Sequence, residues 1–343
     1  MADISSGSMP FFIAQNQGLL QAGDADDYLH PEQNKAVPDD SLSETQYLGF
    51  SVPEAGIHSY SYMWHRPNLG VITGGTFVFQ GIKQWMVQSE ICDMRTFMND
   101  RPIENDLHEY RYDNGYGVKV IEPLKHLHQT YDDPARKNSI DLHYRALCPP
   151  IVFGGGKHFE QPMKVTGEVV LRGTRYEVDC YNVRDRSWAK PRPETPMPTP
   201  PVSWMTGVFD AGYAFNCSVF DQPEGNPELP AEVTLPPERT LVAGWIWRDG
   251  QVGRIVEATK RVTRDPVNLR ALGMEFQARD ELGRELDVRG TLVASCPWQT
   301  WHNTIIFIVL MRWECDGRVA YGDLQEAMWG DYFNAMAARA EVR

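Results

Sequence analysis

The sequence predicts an all-β protein built as two tandem β-domains with a short C-terminal helix. Three observations carry this. Short apolar or alternating runs recur along the chain, separated by turn signals such as Asp113-Asn114-Gly115, Asp132-Asp133-Pro134 and Arg172-Gly173. Helical periodicity is almost absent before the alanine-containing end at Tyr332 to Val342. One proline-dense segment, Lys190 to Val202, divides a chain of 343 residues, which is too long for one ordinary core and suits two.

The elements follow in order. Residues 1–45 are polar and aperiodic apart from the apolar patch Pro10 to Ile13, and read as an N-terminal arm with one helical turn. The first β-domain is expected over 46–189. Tyr47 to Val52 opens it. In Ile57 to Trp64 one face carries Ile57, Ser59, Ser61 and Met63 and the other carries His58, Tyr60, Tyr62 and Trp64, which suits a half-buried strand. Val71 to Ile82 is broken by Gly74-Gly75, a bulge signal. Gln84 to Glu90, Gly117 to Ile121, Leu124 to Tyr131 and Ile140 to Leu147 are further candidates. Gly154 to Trp188 gives two strands around Arg172-Gly173. The linker spans 190–202 and the second domain 203–343. That domain takes strands at Ser203 to Phe209, Tyr213 to Phe220, Thr240 to Arg248, Gln251 to Arg264, Met274 to Arg279, Glu285 to Ser295 and Thr304 to Glu314. A faint repeat hints at common ancestry: a glycine turn and tyrosine precede a polar patch ending in Trp188, and again in Trp329.

A net charge of −13, with no block of Lys/Arg, argues against nucleic acid and anionic lipid as partners. No apolar run is long enough to span a bilayer, Ile305 to Met311 included. Six cysteines without a CxxC pair, and an N-terminus without signal-peptide character, lead to an expectation of reduced thiols and a cytoplasmic location. The expected partner is an apolar small-molecule substrate, with a homodimer as an option through unpaired edge strands.

Signatures of serine-hydrolase, P-loop, zincin and dinucleotide sites are missing, and Gly154-Gly155-Gly156-Lys157 lacks phosphate-loop spacing. His126 and His128 place two imidazoles on one strand face, with His143 on the next strand. They read as a solvent-facing polar pair, so neither metal nor organic cofactor is expected. Asp185 lies among Arg184, Arg186 and Trp188. It reads either as an ion-paired linker fastener or as a carboxylic acid poised for proton transfer. His158 and Glu160, two apart, share a face if extended and could hold a water. Trp64, Tyr116, Trp188, Trp204, Asn216 and His302 complete the candidates, as substrate-binding positions.

Several phrases carry a family resemblance: Gln46 to Phe50 with Pro53-Glu54, Trp64 to Gly75, Asp113 to Tyr116, His158 to Gln161 with Gly167-Glu168, and above all Asp185-Arg186-Ser187-Trp188. The chain resembles the hydroxyneurosporene synthase (carotenoid 1,2-hydratase) superfamily, to which kievitone hydratase and several fungal Diels–Alderases are similar in architecture. The resemblance covers roughly residues 45–335. It implies two lipocalin-like barrel or sandwich domains with an apolar pocket near their junction, and Asp185 as the acid. The hydratases tend to have glycine after the motif tryptophan, where this chain has Ala189. The implied activity is cofactor-independent hydration or dehydration of an isoprenoid-like or polycyclic molecule. A cyclase or isomerase of the same architecture, or a carrier of hydrophobic ligands, is the alternative.

Overall fold

The computed structural model describes residues 22–103, 105–153, 155–193, 195–301 and 303–342. The chain is all-β. Among the described residues, a short helix α1 (Pro31–Lys35) precedes the sheets and α2 (Gly330–Val342) follows them. The first unit holds β1 (Leu42–Leu48), β2 (Ser51–Val52), β3 (Ile57–Arg66), β4 (Val71–Gln80), β5 (Ile91–Asn99), β6 (Glu109–Arg111), β7 (Gly117–Glu122), β8 (His126–Asp133), β9 (Asn138–Ala146), β10 (Ile151–Phe153), β11 (His158–Leu171) and β12 (Thr174–Pro191). The second holds β13 (Val202–Asp210), β14 (Tyr213–Phe220), β15 (Leu241–Arg248), β16 (Gln251–Arg264), β17 (Ala271–Asp280), β18 (Glu285–Trp301), β19 (Thr304–Cys315) and β20 (Arg318–Trp329).

The second unit is a closed barrel in strand order β13 to β20. The first is a curled sheet in the order β5-β4-β3-β1-β12-β11-β9-β8-β7-β6, closed by side chains instead of a ladder. Asn114 Nδ2 donates to the Asp93 carbonyl, and the Tyr131 hydroxyl donates to the Asp93 carboxylate. Gly75 allows this curl: at φ +132°, a Cβ there would stand 2.0 Å from Asp93 O. In each unit the first strand pairs with the last, β1 on β12 and β13 on β20.

Each unit has its own interior core, one around Ile72, Leu127 and Val165, the other around Phe215, Phe276 and Trp313. A third apolar layer lies between them. There Tyr60, Tyr62, Trp64 and Phe77 of the first sheet meet Trp298, Ile308 and Leu310 of the barrel. This layer corrects the reading of Ile57 to Trp64 as half-buried. Residues Ile57 to His65 are buried on both faces, because the outer face of β3 is an interface.

Several boundaries also move. The expected strand at Gln84 to Glu90 is a loop with a 3-10 turn at Met86–Gln88, and the strand follows it as β5. β12 runs through Pro191, so residues without strand between the units begin at Arg192. The described part of the arm is docked, not free: Asp27 and Glu44 are fully buried in the first unit. Residues 1–21, with the patch Pro10 to Ile13, lie outside the described residues. No helix among the described residues is long and apolar enough to cross a membrane.

Candidate active site

Strand pairing assembles the candidate site. Residues directly opposite on neighbouring strands point to the same side of a sheet. Tyr62, Tyr47, Asp185 and Glu160 form one such row across β3, β1, β12 and β11. Trp64, Thr45, Ser187 and His158 form the adjacent row. The barrel answers with rows of its own. Ser218, Trp204 and Gln325 are opposite one another on β14, β13 and β20, and Trp298, Ile306 and Ala327 on β18, β19 and β20. Between the two faces is a cavity of about 130 Å³, with Tyr60, Trp64, Trp204, Trp298 and Trp329 among its aromatic walls and Asp185, His158, Ser187 and Arg192 among its polar ones.

Asp185 is the unusual member. No hydrogen bond or ion pair from the described residues reaches its carboxyl, and its remaining open surface is on the cavity wall. Burial pushes it up to about 6, against the opposing pull of Arg192, Arg186, Lys190 and Arg184. Glu160 stands beside it, gripped from the barrel by two indole N–H donors: Trp204 to Oε1 at 2.6 Å and Trp245 to Oε2 at 2.8 Å. Burial pushes Glu160 up to about 8, and the Asp185 charge adds to the rise while the two indoles resist it.

His158 Nδ1 is 2.5 Å from Ser187 Oγ, and its Nε2 is 3.5 Å from Glu160 Oε1 with no hydrogen-bond partner among the described residues. Burial, then Lys190 and Arg192, hold this imidazole well below its ordinary range, so it is neutral. Lys190, pressed by burial and by Arg192, falls to about 7. Burial raises the Tyr60 and Tyr62 hydroxyls, which stay protonated.

The sequence candidates divide cleanly. Asp185, His158, Trp64 and Trp204 line the cavity, and Glu160 touches Trp204 at its edge. Trp188 does not reach it. Three residues along a strand from Asp185, it points to the opposite face, stacks on His30 at 4.0 Å and donates its indole N–H to Gln33. Tyr116 is buried in the interior core of the first unit beside Tyr110 and Tyr112. Asn216 sits between Thr206 and Trp245 on the buried outer side of the barrel and is absent from the cavity lining. His302 and Gly154 lie outside the described residues.

The ion-pair reading of Asp185 is likewise corrected. Arg184 and Arg186 point away from it and pair with Asp27 at 2.6 Å and Glu44 at 2.8 Å on the other face. Sequence reasoning missed Tyr60, Tyr62, Ser187, Lys190, Arg192, Trp245 and Trp298. The alternation that exposed Trp64 also places Tyr60 and Tyr62 beside it, and Ser187 is two residues from Asp185. Nothing local marked Trp245 or Trp298, which arrive from the other unit.

Fold and site define a double lipocalin-like β-protein with an aromatic cavity between its two units. The chain belongs to the family of the domain of unknown function DUF7064, whose model matches residues 23–330. No curated protein matches it. Among solved structures it is similar to kievitone hydratase from Nectria haematococca, at 10% identity and a TM-score of 0.51, over 95% of this chain and 100% of that one. It is also similar to a Nitrosomonas europaea protein to which the name AttH is given, at 10% identity and a TM-score of 0.53, over 93% and 99% of the two chains. At such identity the likeness is one of fold.

Proposed function

We propose that this protein is a cofactor-independent hydro-lyase that adds water to, or removes it from, a carbon–carbon double bond of an apolar isoprenoid-like or polycyclic molecule. The observation that carries the reading is the unpaired carboxyl of Asp185 on the wall of an aromatic cavity. A hydratase among the proteins of similar fold supports it.

In the hydration direction, the protonated Asp185 donates its proton to one alkene carbon, and the tertiary cation forms on the other. The faces of Tyr60, Trp64 and Trp298 surround that cation, each contributing about 0.5–2 kcal/mol in dry surroundings. A water at His158 adds to the cation and loses a proton to Nε2, the ring nitrogen with no hydrogen-bond partner among the described residues, while Ser187 holds Nδ1. The cycle closes when His158 releases its proton to solvent and solvent returns one to the Asp185 carboxylate, with no net proton consumed. Dehydration is the same path reversed: the imidazolium of His158, formed by taking up a proton, protonates the leaving hydroxyl and the Asp185 carboxylate takes the carbon-bound proton.

The test is turnover of prenylated and polycyclic alkenes in ¹⁸O-labelled water, followed by mass spectrometry. The expected product carries one added water with the labelled oxygen. Asp185→Asn should keep the fold by circular dichroism and lose activity by roughly 10²–10⁴-fold. Full activity in that variant refutes the acid assignment. Turnover without label or mass gain would instead support the cyclase or isomerase reading.

A further inference from the structure

We propose that His128, His143 and Asp141, with His126 as a fourth donor, form a binding site for a divalent first-row transition ion such as zinc. None of the four lines the interdomain cavity, so the inference is independent of the proposed reaction.

Strand register builds this cluster too. β8 presents His126 and His128 on its outer side, and β9 presents Asp141 and His143 in the same way. His128 is directly opposite His143, with His126 opposite Arg145 and Asp141 opposite Thr130 on either side of that pair. One donor atom from each of His128, Asp141 and His143 lies within 4.8 Å of the other two. His128 Nε2 is 2.7 Å from Asp141 Oδ1, and His126 Nε2 is 3.0 Å from His143 Nδ1. Donors bound to tetrahedral zinc at about 2.0–2.1 Å stand roughly 3.3 Å apart. The two short contacts are hydrogen bonds somewhat closer than that spacing, so an ion between the strands needs each pair to open by a few tenths of an ångström.

What remains is to open the stacked rings of His128 and His143, whose centroids are 4.5 Å apart at 12°. The three imidazoles are only half-buried and Asp141 is exposed, so side-chain rotation does not disturb a core. Three imidazoles and one carboxylate suit zinc, copper or nickel, and not magnesium or calcium, which prefer all-oxygen sets. Glu168, opposite Asp141 on β11, is paired with Arg175, so the carboxylate of the cluster itself is that of Asp141. The sequence had offered His126, His128 and His143. Alternation along the expected strand Ile140 to Leu147 also puts Asp141 on the face of His143, a ligand the sequence reading did not name.

The test is calorimetric titration of the chelator-treated full chain with zinc chloride. One zinc per chain at micromolar affinity or better is expected, with a rise in melting temperature from preferential binding to the folded state. His128→Ala and His143→Ala should each weaken binding about tenfold or more while leaving the metal-free melting temperature in place. Cobalt bound to the unmodified chain gives a second readout, the intense visible bands of a four-coordinate site, which needs no variant to fold. Absence of stoichiometric zinc binding at millimolar metal overturns the proposal. So does binding left unchanged in the His128→Ala/His143→Ala double variant.

Discussion

Asp185 and Glu160 are opposite one another on paired strands, and the protein handles their protons differently. Burial moves both upward, Asp185 to about 6 and Glu160 to about 8, so that near neutrality Glu160 holds its proton while Asp185 exchanges one. If Asp185 is the acid of hydration, kcat/KM falls as pH rises past about 6, and because hydration takes up no net proton the dehydration profile falls in parallel. A pH–rate profile checks this, and a rate that stays flat from about pH 5 to about pH 8 would exclude Asp185 from proton transfer. Stability follows the same shifts. A carboxyl with a raised folded pKa contributes stability that is complete below its unfolded value and lost as pH climbs through the folded one. For Asp185 that window runs from its ordinary value of 3.8 to about 6. Asp185→Asn, which stays neutral, should therefore melt a few degrees above the wild type at pH ~8 and close to it at pH ~4. Equal melting-temperature differences at both ends would mean the carboxylate is not destabilised by burial.

β12 shows how one strand serves two structures, and why the site was only half legible in sequence. Its odd positions Asp185 and Ser187 face the cavity. Its even positions Arg184 and Arg186 face the first core, where Asp27 and Glu44 neutralise them. The sequence reading grouped Asp185 with its chain neighbours, although in a strand these point away from one another. Trp188 was misplaced for that reason. At Ala189 the strand twists through φ +49°, the left-handed region that favours glycine, at a register shift between β1 and β12. This gives the departure from the hydratase pattern a backbone meaning: alanine holds the turn a glycine would take more easily. Turn chemistry and alternation, both local, were enough for the seven barrel strands from β13 to β19. β20 was seen only as half of a repeat. β5 was missed because only Ile91 and Asp93 of its nine residues are buried, which leaves no alternation to read beyond them. The opposed faces of β12 can be separated experimentally. Asp27→Ala leaves the Arg184 guanidinium buried without its partner and should cost roughly 3–5 kcal/mol in denaturant unfolding. The folded fraction should keep its activity, since Asp27 does not line the cavity. A stability change below about 1 kcal/mol would show that the arm does not anchor β12.

The molecule works as a pair of faces held in register, because the cavity has no floor without the first sheet and no roof without the barrel. The two repeats are not equivalent here. Three residues before its tryptophan the first carries Asp185, unpaired, whereas the second carries Glu326, ion-paired to Arg264. Only the first repeat has left its acid free. Apolar contact between Tyr60, Tyr62 and Trp298 joins the faces but fixes their sliding weakly; directional constraints come from the indole bonds to Glu160, from the backbone bridge between Ile82 and Ser295, and from Asp323 of β20. Its carboxylate accepts the Tyr47 hydroxyl and the Asn182 amide, each at 2.9 Å, and the His58 Nε2 lies 2.7 Å away. All three belong to the first unit, on β1, β12 and β3, and every one of these side chains is buried. Asp323→Ala would strand the Tyr47 and Asn182 donors in a dry interface, at a cost of roughly 3–5 kcal/mol concentrated between the units. Differential scanning calorimetry should then resolve two transitions where the wild type gives one. Turnover should fall although Asp185, His158 and Glu160 are unchanged, because Trp204 and Trp245 would no longer be held against Glu160. Asp323→Asn, which keeps one acceptor oxygen, should fall between the two. A single transition at the wild-type temperature in Asp323→Ala would show that the aromatic layer, the Glu160 bonds and the Ile82–Ser295 bridge align the faces without Asp323.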